Sequence, residues 1–166
     1  FLLHLAGGNL GLVDQPLRKL GIGGLEFFGQ QKHRDHRLGG VDQTLRQIAR
    51  VSVGGARVRV VLSNSLGTAP LRIGAAQVAL RDTGAGIVAG SARLLTFGGA
   101  PQPVVPAGAS MVSDPVDLAV KDSCDLVIDL HLPDDTSSWK SLVTVHPASW
   151  QVNYVSMPGN HVGATR

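Results

Sequence analysis

The most regular stretch of the sequence runs from Thr44 to Leu80 and reads TLRQIARVSVGGARVRVVLSNSLGTAPLRIGAAQVAL. Apolar and polar residues alternate on both sides of Gly54-Gly55, and a period of two is typical of a half-buried β-strand. Two glycines between such runs suit a tight turn, because glycine adopts positive φ without steric cost. The pattern therefore predicts a β-hairpin whose turn is Gly54-Gly55.

One face of the predicted hairpin is apolar and the other is rich in arginine. An apolar face of this kind packs on a core while the charged face meets water. We expect seven residues to share the core side, namely Leu45, Ala49, Val51, Val53, Val58, Val60 and Leu62.

The rest of the chain contains short apolar runs about ten residues apart, separated by turn residues; the chain has 21 Gly and 9 Pro in all. The predicted strands include Leu71–Leu80, Val116–Val120, Cys124–Leu132, Leu142–His146 and Gln151–Val155. About eight to ten short antiparallel strands without a helix indicate an all-β fold, either a β-sandwich or a jelly roll. We expect residues 41–161 to form this domain.

Residues 1–40 have a different texture, with frequent glycines and the polar run QQKHRDHR. They predict an irregular N-terminal segment of uncertain fold. His33 and His36 resemble metal ligands, but they would need a helix face and further ligands, and Gly39-Gly40 follows. A solvated loop is the simpler interpretation, so we expect no metal and no other cofactor.

The composition limits the classes of partner. The net charge is +3, but only 4% of residues are aromatic and the arginines alternate with valines, which favours a solvated sheet face over a nucleic-acid surface. No run approaches the roughly 20 apolar residues of a membrane span. Cys124 is the only cysteine, so an intrachain disulfide is excluded.

No motif for catalysis is recognisable. The G-x-S-x-G nucleophile elbow, the phosphate loop, the dinucleotide fingerprint and the HExxH zinc helix are all absent. Asp129 and His131 lie two residues apart on one predicted strand and would share a face, but no serine is predicted beside them. We expect this pair on the protein surface and assign no catalytic residue.

Three aromatic residues of the C-terminal third are the candidates for ligand binding. Trp139, Trp150 and Tyr154 could stack on sugar rings at one end of a sandwich, or they could pack in the core or an interface. The sequence leaves both interpretations open.

The Thr44–Leu80 stretch resembles the N-terminal β-domain that precedes the catalytic domain in bacterial SGNH/GDSL-type esterases. Three later segments fit the same pattern in the same order: Leu95–Gly99 (LTFGG), Pro106–Val116 (PAGA followed by VSDPV) and Tyr154–His161 (YVSMPGNH). The similarity covers about residues 41–161. The family's Gly-Asp-Ser block, its oxyanion blocks and its Asp-x-x-His have no counterpart here.

The resemblance implies a non-catalytic β-sandwich accessory domain of a lipase-like ester hydrolase, with residues 162–166 leading toward the catalytic domain. It implies that the chain alone is inactive, that its partner is an SGNH-type catalytic domain with a carbohydrate or acyl-ester substrate, and that the protein is extracellular or periplasmic. Phe1–Leu5 is apolar but is not a complete signal peptide. An independent carbohydrate-binding module and a truncated fragment with no separate function are the alternatives.

Overall fold

The computed structural model of the chain describes residues 2–6, 41–136 and 154–165. These ranges contain eleven β-strands and no helix, and every strand pairing is antiparallel, which confirms the predicted all-β fold. It follows that no helix in the described part of the chain could cross a membrane. The strands are β1 (Leu2–Ala6), β2 (Gln43–Val51), β3 (Gly55–Ser63), β4 (Leu71–Arg72), β5 (Ala75–Leu80), β6 (Arg93–Leu94), β7 (Val104–Val105), β8 (Ser110–Val112), β9 (Val116–Val120), β10 (Cys124–Leu132) and β11 (Tyr154–Pro158).

Within the described ranges the strands form two main sheets. The five-stranded sheet has the order β11-β2-β10-β5-β6. The four-stranded sheet has the order β1-β3-β8, and β9 pairs with the other end of β3. The short strands β4 and β7 pair only with each other as far as the described residues go.

One apolar core joins the two main sheets. Strands β3 and β9 supply Val58, Val60, Leu62 and Leu118, and the five-stranded sheet packs its own apolar face against them. Burial of a large apolar side chain stabilises a fold by roughly 1.5–3 kcal/mol, so this shared core is the main source of cohesion. The arrangement is sandwich-like. The five-stranded sheet contributes Leu45, Ala49, Ala76, Val78, Leu126, Ile128, Leu130 and Leu132.

The predicted hairpin at Gly54-Gly55 is wrong. Strand β2 pairs with β10 and β11, whereas β3 pairs with β1, β8 and β9, so the chain crosses from one sheet to the other between them. Neither glycine has a positive φ. Gly54 is needed because the backbones approach closely: a β carbon there would lie 2.3 Å from the carbonyl oxygen of Val120.

Other strand predictions fare differently. Strands β9 and β10 have the predicted bounds. The predicted strand Leu71–Leu80 is interrupted at Ile73-Gly74, where a β carbon on Gly74 would lie 2.4 Å from Nδ1 of His131. Val53 lies after the end of β2 and is 70% exposed, contrary to the expectation that it faces the core. The predicted strand Leu142–His146 lies outside the described residues.

Candidate functional site

A row of polar side chains crosses the outer face of the five-stranded sheet. Tyr154 lies opposite Arg46, Arg46 lies opposite Asp129, and Asp129 lies opposite Gln77. Directly opposed residues of antiparallel strands project from the same face. The neighbouring Leu45 and Ile128 belong to the core, so these four residues, the polar row, project from the side away from it.

The centre of the polar row is a buried ion pair. Nε of Arg46 lies 2.7 Å from Oδ1 of Asp129, and Nη2 lies 2.8 Å from Oδ2, a two-point contact that fits the planar guanidinium. Arg46 is 8% exposed and Asp129 is 1% exposed. The hydrogen bonds that Arg46 donates to Asp129 raise the pKa of Arg46 above its ordinary value; burial opposes this and the charge attraction adds to it. Arg46 is therefore held in its charged form.

Main-chain groups from two other segments complete the ion pair. Nη1 of Arg46 donates to the carbonyl oxygen of Ala85 at 2.7 Å, and Nη2 donates to that of Ala164, also at 2.7 Å. The N–H of Gly163 donates to Oδ2 of Asp129 at 2.9 Å. The buried charges thus receive the additional hydrogen bonds that such a pair needs to be tolerated in the interior.

The segment after β11, residues 159–164, lies over this face; we call it the C-terminal strap. Its first half is held by the hydroxyl of Thr44, which donates to the carbonyl oxygen of Gly159 at 3.0 Å and accepts from the N–H of His161 at 2.9 Å. The N–H of Gly159 donates to the carbonyl oxygen of Asp42. The strap is therefore bound to the beginning of β2 before it reaches the ion pair.

His131 is a second buried polar residue of β10, two positions beyond Asp129 of the polar row. Its Nε2 lies 2.7 Å from Oδ1 of Asp42, which has a φ of 55°. Its Nδ1 is buried and has no hydrogen-bond partner among the described residues. Asp129 and His131 do lie on one face, as predicted, but the expectation of a surface pair is wrong, since both are buried. Each has its own partner, Arg46 or Asp42.

The described residues provide no activated nucleophile at this site. Nε2 of His131 contacts a carboxylate, and Nε2 of His161 lies 3.2 Å from the carbonyl oxygen of Pro158. The hydroxyl of Ser156 accepts from the N–H of Thr44 and donates to the carbonyl oxygen of Met157. Catalysis by a serine needs a base in contact with the hydroxyl, and these side chains are engaged in structural hydrogen bonds instead.

Metal binding has no support in the described ranges, where no three His, Cys, Asp or Glu side chains are grouped as ligands. His33 and His36 lie outside these ranges, as do Trp139 and Trp150. Tyr154 is described: it is half-buried at one end of the polar row. Stacking of these aromatic residues on sugars stays a prediction.

Asn64 connects the Thr44–Leu80 stretch to the Pro106–Val116 block, a role that the sequence alone did not predict. Its Nδ2 donates to three backbone carbonyl oxygens, those of Ala69 (2.9 Å), Val105 (3.1 Å) and Pro106 (3.1 Å). A β carbon at Gly67 would lie 1.8 Å from Oδ1 of Asn64, which explains the glycine in this loop. Asn and Gly in one loop indicate a turn, but the partners at 105–106 leave no trace in the local pattern.

Asp114 connects the Pro106–Val116 block to the Leu95–Gly99 block. Its carboxylate accepts hydrogen bonds from Oγ1 of Thr96 at 2.6 Å and from the N–H groups of Gly98 (3.1 Å) and Gly99 (2.8 Å). These bonds, led by that from Thr96, lower the pKa of Asp114 below its ordinary value. Both glycines have positive φ, 59° and 82°, so the turn can direct two successive N–H groups at one carboxylate.

Comparison of the chain with protein-family models finds no family that matches it, and no curated protein matches it either. A functional interpretation therefore depends on the residue patterns and on the contacts described above.

Proposed function

We propose that this chain is the non-catalytic β-sandwich accessory domain of a secreted ester hydrolase of the SGNH/GDSL type. In this proposal the domain packs against the catalytic domain and shapes the entrance for a carbohydrate or acyl-ester substrate. The chemistry is carried out by the catalytic domain, and the sandwich supplies a rigid surface beside it.

The observation that carries the proposal is the structural role of the sequence blocks that resemble the family. The Asn64 loop binds the turn that begins at Pro106, and the Leu95–Gly99 block binds Asp114. In the same way, the Tyr154–His161 block binds Thr44. Residues that make long-range hydrogen bonds in a scaffold are the kind that a scaffold family would share, which supports a resemblance based on the fold rather than on chance spacing.

The edge of the five-stranded sheet offers a surface suited to another domain. Met157 on β11 is 78% exposed and Val155 is 47% exposed, while Val41, just before β2, is 57% exposed. Pro158 pairs with Gln43, which brings these two stretches to the same end of the sheet. Exposed apolar side chains next to a strand edge are typical of interaction sites, and this one supports docking of a catalytic domain.

An esterase assay tests the absence of catalysis. The purified chain, given short-chain p-nitrophenyl esters, should produce p-nitrophenol no faster than an equal concentration of the same chain after heat unfolding. Ester hydrolysis by a catalytic serine needs both an activated hydroxyl and hydrogen-bond donors for the oxyanion, and the described residues do not combine the two in one site. Turnover that one Ser→Ala substitution in this chain abolishes would contradict the proposal.

The coding DNA tests the positive part of the proposal. Reading the frame of the gene beyond the codon for Arg166 should give a Gly-Asp-Ser block, followed by a later Asp-x-x-His. A frame that continues into an unrelated domain would refute the assignment to an ester hydrolase, even if the esterase assay is negative as expected.

A further inference from the structure

The C-terminal strap is attached to the sheet almost entirely through polar contacts. Thr44 binds its first half, and the Arg46–Asp129 ion pair binds the N–H of Gly163 and the carbonyl oxygen of Ala164. Its apolar anchoring is slight, because His161 is exposed and Val162 and Ala164 are only half-buried. A segment with few buried apolar contacts belongs to the low-stability end of a structure.

The sheet beneath the strap is held together by contacts that do not involve the strap. Strand β10 is paired on both sides, with β2 and with β5, and Val127 and Ile128 are at most 1% exposed. The two oxygens of Asp129 are both bonded to Arg46, and this two-point contact does not involve the strap. The ion pair can therefore persist when the strap is absent.

We propose that residues 159–164 form a detachable strap that opens and closes over the outer face of the five-stranded sheet while the sandwich remains folded. In the closed state the ion pair binds the N–H of Gly163 and the carbonyl oxygen of Ala164, two main-chain groups that the turn at Gly163 directs to the same side. In the open state Asp129 presents an acceptor and Arg46 a donor to solvent or to another peptide. The strap is thus a conformational device, and it does not depend on the proposed link to an ester hydrolase.

Gly163 makes the closed state sensitive to a small substitution. It has a φ of 81°, and a β carbon there would lie 2.9 Å from Oε1 of Gln77, whose side chain is buried. Gly163→Ala therefore strains the backbone and crowds the polar row only when the strap is closed. Thr44→Val removes the hydroxyl that holds Gly159 and His161 and keeps nearly the same shape.

Amide hydrogen exchange of the whole chain, followed residue by residue by NMR, tests the proposal. The N–H groups of His161 and Gly163 should exchange at least tenfold faster than that of Val127. In Gly163→Ala the N–H of His161, and in Thr44→Val that of Gly163, should exchange at least tenfold faster still, with Val127 unchanged. Gly55→Ala is the matched control, because a β carbon there has no neighbour closer than 3.8 Å, and it should leave strap exchange unaltered.

Two results would overturn the proposal. One is exchange of the strap amides at the rate of Val127, which would mean that the strap opens only when the whole domain unfolds. The other is a failure of both Gly163→Ala and Thr44→Val to accelerate strap exchange. If one variant does not fold, the other decides the matter alone.

Discussion

The N–H of Gly54 donates a hydrogen bond of 2.5 Å to Oδ1 of Asp122, which ties the β2–β3 crossover to the turn between β9 and β10. The two segments also touch through the backbone, since a β carbon at Gly54 would lie 2.3 Å from the carbonyl oxygen of Val120 and 2.8 Å from the carbonyl carbon of Lys121. The crossover between sheets therefore depends on a residue without a side chain.

Gly54→Ala should lower the free energy of unfolding by about 2–3 kcal/mol, because backbone atoms cannot move aside as a flexible side chain can. Urea denaturation monitored by tryptophan fluorescence measures this loss. The neighbouring Gly55→Ala is the control: its β carbon meets nothing closer than 3.8 Å, and φ is not positive. That substitution should leave stability unchanged or raise it by up to about 1 kcal/mol. Equal losses for the two variants would disprove the close approach.

Asn64→Ala should lower the free energy of unfolding by about 2–4 kcal/mol, because three carbonyl oxygens lose the donor that the buried Asn64 side chain supplies. Asn160→Ala serves as the comparison. Its side chain accepts one exposed hydrogen bond, from Val162, and its removal should change stability by no more than about 0.5 kcal/mol. The prediction fails if chemical denaturation gives similar values for the two.

Arg46→Met should lower the free energy of unfolding by about 3–5 kcal/mol, because it leaves the Asp129 carboxylate buried without its counter-ion. Arg46→Met combined with Asp129→Leu should cost less than Arg46→Met alone, since no unpaired charge remains. The exposed pair Arg57–Asp117, whose side chains are 54% and 85% exposed, provides the control. Arg57→Met should change the free energy of unfolding by less than about 1 kcal/mol. A double variant less stable than Arg46→Met would count against this account.

Asp114 should make stability dependent on acid. Its pKa is lowered in the folded state, chiefly by the hydrogen bond from Thr96 and then by those from Gly99 and Gly98. A carboxyl group whose pKa is lowered in the folded state stabilises the fold at pH values above its ordinary pKa of 3.8. This contribution is lost as the pH falls through the lowered pKa. The stability advantage of the unmodified chain over Asp114→Asn should therefore shrink in acid. Unfolding by urea at a series of pH values measures it, and a constant difference would contradict the prediction.

Local patterns predicted the elements of this fold better than their partners. Strands β9 and β10 have the predicted bounds because each is a clear alternation between turn residues. The same alternation on both sides of Gly54-Gly55 could not reveal that β2 and β3 belong to different sheets. Hydrophobic period reports burial of one face, whereas pairing depends on residues far away, such as Asp129 opposite Arg46.

The polar row was beyond sequence reasoning for a similar reason. Arg46 reads as one more arginine on a solvated face, and Asp129 and His131 read as surface residues. Arg46 and Asp129 are covered by the C-terminal strap, and Arg46 also by the segment that contains Ala85, on a face that the strand pattern leaves to water. The burial of these charges depends on segments that are distant in the sequence, so the strand pattern alone does not predict it.

The separation of β2 from β3 also determines how such a chain can fold. Arg46 and Asp129 are 83 positions apart, and β2 pairs in the described ranges only with β10 and β11. Closing so long a loop is entropically costly, so folding dominated by such contacts is slow. A nascent chain that has emerged only as far as Leu118 holds a complete β2 with neither of those strands beside it. During synthesis this strand edge needs protection from other chains until the last third of the protein arrives.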